Sequence, residues 1–209
     1  YGQSMIKYSY VNHFAKNADG NGELTANTEW LMGNQIKGGI NYNILDDLSL
    51  YGNIGLVSKA PIFDNVINDR DGTVADNPDN ENFTAYEIGS IIGQERDVKL
   101  KVNFYNTLWE NRSRSIGIVN QDGSEGFIFI QGMNQRHTGF ELELDYQPHD
   151  MFAIGGFASV ANWEYLNNVT GTYKDYAGGG ANDVTYEYYV SGLKVGDAPQ
   201  HQFAAWLDI

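Results

Sequence analysis

The sequence predicts an all-β fold, an antiparallel up-and-down meander, and three observations lead to this prediction. Apolar residues recur at every second position over most of the chain, glycine and aromatic residues are frequent, and proline is scarce. The chain has 209 residues, of which 24 are Gly, 14 are Tyr and 10 are Phe, against 4 Pro. Aromatic side chains favour strands, and glycine suits the connections between them.

The alternation is clearest in two segments. In the first, apolar and acidic side chains alternate: Phe140, Leu142, Leu144 and Tyr146 against Glu141, Glu143 and Asp145. In the second, apolar side chains alternate with basic and polar ones: Val98, Leu100, Val102 and Phe104 against Lys99, Lys101, Asn103 and Tyr105. A strand places successive side chains on opposite faces, so each set keeps a face of its own, whereas a helix would mix them.

The same pattern, followed along the chain, predicts about eight strands. We place them at 4–13, 35–44, 48–58, 84–93, 97–110, 127–147, 151–163 and 184–209, the last as one strand or two. Residues 14–34 fit either a loop or a further short strand. The chain stops inside an alternating segment, so we expect residues 1–209 to be one domain that is truncated at both ends.

The connections between these strands are of two kinds, and the two kinds alternate. Short turns occur at 45–47, 94–97 and 148–150, and long polar loops at 60–82, 111–126 and 166–183. In an up-and-down sheet successive connections lie at opposite ends, so all the long loops share one end. Transmembrane β-barrels have this asymmetry. We therefore expect part of the wall of a larger transmembrane β-barrel, with a soluble β-sandwich that binds carbohydrate as the alternative.

Composition excludes several classes of function. Lys and Arg total 13 and Asp and Glu total 27, so the net charge is −14. This charge opposes nucleic-acid binding, which needs basic patches, and docking on an anionic membrane through a polybasic segment. No apolar run approaches the roughly 20 residues of a membrane helix.

Motifs in the chain resemble the barrel of TonB-dependent outer-membrane receptors. The first is Ser58-Lys59-Ala60-Pro61-Ile62-Phe63, which follows the strand Gly39-Ile40-Asn41-Tyr42-Asn43-Ile44. Tyr86-Glu87-Ile88-Gly89, residues 103–112 and residues 137–143 are similar to the strands that come next in that family, in the same order. Lys59 stands where the family usually has Arg, and the matches cover about residues 36–163.

The resemblance implies a transporter rather than an enzyme. It implies active uptake of a scarce nutrient or metal chelate across the outer membrane of a Gram-negative bacterium. Its partners would be outer-membrane lipid, a small-molecule, oligosaccharide or peptide ligand, and the inner-membrane energy-transducing complex. That complex acts through an N-terminal plug part that this chain does not contain. No cofactor is implied.

The two faces of the predicted strands give an expectation for orientation. Phe140, Leu142 and Leu144 should face lipid, with Val98, Leu100 and Val102 beside them. Charged side chains are costly toward lipid and tolerated toward a wet lumen. We therefore expect five charged residues in the lumen: Glu141, Glu143, Asp145, Lys99 and Lys101.

A ligand site is expected at the long-loop end, since loops carry recognition. The candidates are carboxylate, amide, basic and aromatic residues near that end: Asp64, Asn65, Arg70, Trp163, Tyr173 and Tyr176. The acidic segment 69–72 lacks the spacing of a helix-loop-helix calcium site, and we interpret it as a solvated loop. The four His are too scattered to predict a zinc site, and the chain has no Gly-x-Ser-x-Gly motif.

Overall fold

The alternating segments form antiparallel strands in the computed structural model, which describes residues 1–16, 23–67, 72, 74–75, 78–93, 97–119, 123, 125–174, 184–196 and 198–209. The strands in these ranges are β1 Gly2–Ile6, β2 Ser9–Lys16, β3 Glu23–Asn27, β4 Leu31–Leu45, β5 Leu48–Lys59, β6 Glu81–Ile92, β7 Val98–Val119, β8 Glu125–His149, β9 Phe152–Tyr165, β10 Val169–Lys174, β11 Val184–Tyr188 and β12 His201–Asp208. No helix among the described residues is both long and apolar enough to cross a membrane.

The main sheet follows the order of the chain. Its strands pair antiparallel in the order β1, β4, β5, β6, β7 and β8. Beyond β8 the sheet divides, because β9 and then β12 continue it along one half of β8, while β10 and β11 continue it along the other half. The main sheet has its outer edges at β1 on one side and at β12 and β11 on the other, and β2 and β3 form a separate two-stranded hairpin. This arrangement confirms the predicted antiparallel meander and gives no support to a sandwich of two packed sheets.

The connections separate into two ends, as the sequence predicts. Asp46–Asp47, residues 93–97 and Asp150–Met151 join strand pairs at one end. The described residues of the loop 60–80, which include a short 3-10 helix at Phe63–Asn65, lie at the other end. The hairpin of β2 and β3 lies at that end too, since it leaves the sheet between β1 and β4. We refer to this second end as the long-loop end.

Two loop predictions are wrong in extent. The segment 111–126 is mostly strand, because β7 continues to Val119 and β8 begins at Glu125. Within 166–183, residues 169–174 form β10. Polar residues and glycine are frequent in these segments, and register shifts near Arg112 interrupt the pairing of β7 with β8, so the alternation is too weak to reveal them as strands. The ambiguous segment 14–34 contains β3, and the predicted strands 4–13 and 184–209 each divide into two.

A small apolar cluster fastens the β2–β3 hairpin to the loop 60–80. Ala26 of β3 is buried against Val66 and Ile67, and Tyr8 packs edge-on against Phe63 with ring centroids 5.7 Å apart. The Tyr8 hydroxyl also donates a hydrogen bond to the Pro61 carbonyl oxygen (3.1 Å). The hairpin and residues 61–67 of the loop therefore pack against each other.

Asparagine side chains bridge the places where the strand ladder is interrupted. Asn111 adopts φ = 58° beside a register shift in β7, and its N–H donates to the Asn134 side-chain oxygen (3.0 Å). The Asn134 N–H donates in turn to the Asn167 side-chain oxygen (2.9 Å). Asn167 lies between β9 and β10 and donates from Nδ2 to the Gly132 carbonyl oxygen (2.9 Å). Side-chain amides thus provide hydrogen-bond partners for backbone groups of β7 and β8 where the ladder is interrupted.

Replacing Asn167 with Ala should therefore destabilise the protein. The substitution leaves the Asn134 N–H and the Gly132 carbonyl without these partners, and each unsatisfied group in a partly buried setting costs about 1–3 kcal/mol. Urea unfolding of the full-length protein in lipid vesicles would measure the loss. Asn41→Ala is the control, because its side chain donates one 3.3 Å bond to Asn43 between exposed residues. Equal losses in the two variants would contradict the bridging role.

Candidate functional site

The strand registers divide the sheet into an apolar face and a polar face. Leu100 pairs with Ile92 on one side and with Leu144 on the other, so these side chains share a face. The apolar face carries large exposed hydrophobic residues on seven strands, including Ile36, Ile40, Leu50, Ile54, Ile88, Phe104, Phe140, Val160 and Phe203. The opposite, polar face carries amides, hydroxyls and charged groups, and it is the surface that can bind a polar molecule.

Charged residues predicted for the lumen lie together on the polar face. Lys99 pairs in register with Asp145, and Lys101 with Glu143, whose oxygen lies 3.9 Å from the lysine nitrogen. Glu141 is the next residue of β8 on the same face, opposite Asn103. Opposite charges on neighbouring strands offset each other in part, which lowers the cost of placing them on one strip of the sheet.

A hydrogen-bond relay crosses four strands on this face. The Tyr51 hydroxyl of β5 donates to the Asn103 side-chain oxygen of β7 (3.1 Å), passing over Gly89 of β6. Asn103 donates from Nδ2 to a carboxylate oxygen of Glu141 on β8 (3.2 Å). Asn103 is only 7% exposed, so it is the buried centre of the relay.

A groove of about 760 Å³ lies beside this relay, across β4 to β7. Its walls on the polar face comprise one lysine, one glutamate, two asparagines, a tyrosine and a threonine: Lys37, Glu87, Asn53, Asn103, Tyr105 and Thr107. The Asn53 amide donates to a Glu87 oxygen (3.0 Å), which orients both groups. The lining offers both donors and acceptors and can therefore hold a polar ligand or a polar stretch of protein.

Aromatic side chains gather on the polar face nearer the long-loop end. The rings of Phe83 and Trp109 have centroids 4.8 Å apart, and the guanidinium carbon of Arg112 lies 4.5 Å from the Trp109 ring centroid. On the neighbouring strands, His137 and Trp163 have ring centroids 5.3 Å apart. These contacts pack the rings against one another and stiffen the upper part of the wall.

The predicted ligand residues lie in different surroundings. Asp64 is exposed in the 3-10 helix, whereas Asn65 is buried in a small chamber that Asp79 and Asn111 also line. Trp163 lies on the polar face and donates from Nε1 to the Tyr105 hydroxyl (3.0 Å). Tyr173 lies in β10, half-buried. Arg70, Tyr176 and most of the acidic segment 69–72 lie outside the described residues.

One tyrosine at the far edge has a perturbed acidity. Tyr189 follows β11, and its hydroxyl donates to a Glu187 oxygen (2.7 Å). This hydrogen bond, together with repulsion by the same carboxylate, raises the pKa of Tyr189. Its hydroxyl therefore remains a neutral donor at neutral pH.

The sequence did not predict the relay of Tyr51, Asn103 and Glu141, nor the hydrogen bond between Tyr105 and Trp163. The alternation places Asn103 and Tyr105 on the polar side of β7 but does not identify their partners. Those partners, Tyr51 and Trp163, lie two strands away in the sheet and far away along the chain. No spacing signals such contacts; glycines on intervening strands are the one feature of the sequence that permits them.

Comparison with known proteins gives one match. The family described as TonB dependent receptor-like, beta-barrel, matches residues 6–208. Neither the curated proteins nor the solved structures contain a match.

The relay predicts an unequal effect of two asparagine substitutions. Asn103→Ala leaves the Tyr51 hydroxyl and Glu141 without these bonds, so the free energy of unfolding should fall by about 1–3 kcal/mol. Asn53→Ala is the matched control, because it removes one exposed bond to Glu87 and should cost about 0.5 kcal/mol or less. Unfolding in lipid vesicles measures both, and a larger loss for Asn53→Ala would refute the assignment.

Proposed function

The chain belongs to the TonB-dependent receptor β-barrel family, and from this premise we propose that it is part of the wall of an outer-membrane barrel for energised uptake of a scarce nutrient or metal chelate. The family comprises transporters and receptors rather than enzymes, and its members lie in the outer membrane of Gram-negative bacteria. The observation that carries the proposal for this chain is the division of one continuous sheet into an apolar and a polar face.

The apolar face is the surface that we assign to lipid. Its side chains include Ile40, which is 73% exposed, and Phe203, which is 72% exposed. Exposed apolar residues on every strand from β4 to β9 and on β12 would form a patch much larger than soluble monomers tolerate. Burial in hydrocarbon removes that cost, because the solvent is then as apolar as the side chains.

The upper limit of the apolar face supports a tilted passage through the membrane. The limit of the apolar face toward the long-loop end is marked on successive strands by Asn34, Ser58, Thr84, Asn106, Thr138, Asn162 and His201, and Ser90 is a polar residue within the face on β6. In the pairing register, this limit drops by three steps of two residues over six strand pairings, or about one residue per pairing. With about 3.3 Å per residue and about 4.8 Å between strands, the limit slopes by roughly 35° to the rows of paired residues. Strands of membrane barrels are tilted by about this angle.

The polar face is then the inner surface of the barrel. Lys99, Lys101, Glu141, Glu143 and Asp145 would lie toward the lumen, where water or a polar plug can solvate them. The groove along β4 to β7 would be part of the same inner surface. The plug and the inner-membrane energy-transducing complex enter this proposal through the family alone.

The ligand would first bind at the long-loop end. Asp64 and the ring of Trp163 remain candidates there, with Asn65, Arg70, Tyr173 and Tyr176. Carboxylates and amides hold polyols, peptides or cationic chelates, and aromatic rings stack on sugars or macrocycles. The net charge of −14 opposes an anionic chelate unless basic groups elsewhere compensate.

The membrane orientation is tested by spin labels at positions 98–105 of β7, one at a time, in the full-length protein in lipid. We expect oxygen to collide most with labels at Val98, Leu100, Val102 and Phe104, because oxygen concentrates in hydrocarbon. Labels at the intervening positions should show low oxygen collision. A label at Val119, which is 74% exposed beyond the apolar face, is the water-facing control. Loss of the two-residue period, or its reversal, would rule the orientation out.

The transport role is tested by deleting the gene and growing the bacterium on limiting iron, limiting cobalamin or a single oligosaccharide. We expect a growth defect under one of these conditions, which a plasmid copy of the gene restores. A strain without the inner-membrane energy transducer should show the same defect, and the double deletion should be no worse. A defect that does not depend on the transducer would refute energised uptake through this protein.

A further inference from the structure

Three large aromatic side chains on the polar face lie over glycines of the neighbouring strand. Tyr51 lies over Gly89, Tyr105 over Gly139 and Trp206 over Gly155. Each pair is directly opposed in the register. A Cβ atom at any of these glycines would collide with the opposing ring. Glycine therefore provides the space in which each ring lies.

Glycines on the apolar face have different neighbours. A Cβ at Gly52 would meet its nearest atom at 3.7 Å and one at Gly156 at 3.5 Å, both of them backbone oxygens. A Cβ at Gly38 would meet nothing within 4 Å. The three apolar-face glycines Gly38, Gly52 and Gly156 thus have no ring over them, in contrast to Gly89, Gly139 and Gly155 on the polar face.

The position of the Tyr105 ring over Gly139 affects the groove. The groove extends from β7 toward β4, whereas the Tyr105 ring leans the other way, over Gly139 of β8. Its hydroxyl accepts a hydrogen bond from Nε1 of Trp163 on β9 (3.0 Å). The bond and the space above Gly139 together hold the ring against the wall, at the edge of the groove.

We propose that Gly139 is a positioning residue that keeps the groove open by giving the Tyr105 ring a place against the wall. For Gly139, unlike Gly89, the three nearest atoms to an added Cβ all belong to the opposing ring. A side chain at position 139 displaces the ring, and the open space beside β7 is the groove. Gly139 thereby determines how much of the groove is free of the Tyr105 ring. An effect of this space on the passage of a ligand rests on the proposed transport function.

The test measures access to the groove and not uptake, so it stands apart from the transport proposal. Thr107 lines the groove next to Tyr105, and the chain has no cysteine of its own. Thr107→Cys in the full-length protein is treated with a water-soluble cationic methanethiosulfonate, and the rate of modification is followed. Heat-dependent gel mobility reports whether each variant assembles.

Gly139→Ala should slow modification of the introduced cysteine by roughly fivefold, because the displaced ring packs over it. Tyr105→Ala combined with Gly139→Ala should restore the original rate or exceed it. Gly156→Ala, on the apolar face of β9, is the matched glycine control and should leave the rate unchanged.

Each outcome decides the proposal. An unchanged rate in assembled Gly139→Ala protein overturns it. If Gly139→Ala does not assemble, the double variant decides: assembly with the original rate supports a need for ring space. Failure of the double variant to assemble shows that the backbone, and not Tyr105, requires the glycine, and it overturns the proposal.

Discussion

Backbone hydrogen bonding is the constraint on which the rest of this structure depends. Hydrocarbon offers no partner to an N–H or C=O group, so strands that cross a membrane must satisfy these groups on their neighbours. In the main sheet this is achieved by antiparallel pairing between strands that mostly follow each other along the chain. Where the ladder is interrupted near Asn111 and Gly132, amide side chains bond to the backbone instead. Those failures lie beyond the apolar face, where water also offers partners.

The continuous ladder leaves side chains to meet two different media. In the proposed orientation, period-two alternation gives one face to lipid and the other to water, and neither face needs a packed core behind it. On the polar face, long side chains can reach past the next strand when that strand has a glycine, as Tyr51 does over Gly89. The sheet is therefore reinforced across strands by groups that also shape its polar face.

The strands within the apolar band were predictable from sequence, and the long-loop end was not. Segments such as 98–105 and 140–146 alternate strictly because each face meets a different medium, so pattern alone identifies them. Residues 112–119 and 169–174 lie beyond the apolar band, where polar residues are frequent and the apolar side chains of Ile116 and Val169 pack in a local cluster, so the alternation is weaker. The shared face of Lys101 and Glu143 was predictable, because each lies on the polar side of an alternating strand. The Tyr51 relay depends on register between distant segments, which local spacing does not encode.

The hairpin of β2 and β3 has a consequence for how such a chain diversifies. β1 and β4 pair directly although residues 7–30 intervene. The pairing of the main sheet therefore does not depend on the residues inserted between these two strands. The hairpin is instead fitted to the loop 60–80, through Ala26, Val66 and Ile67. In related genes, lengthening or recombination in one of these two insertions would be retained mainly with a matching change in the other. The sequences of the two insertions would then change together, while the sequences of the strands would change independently of them.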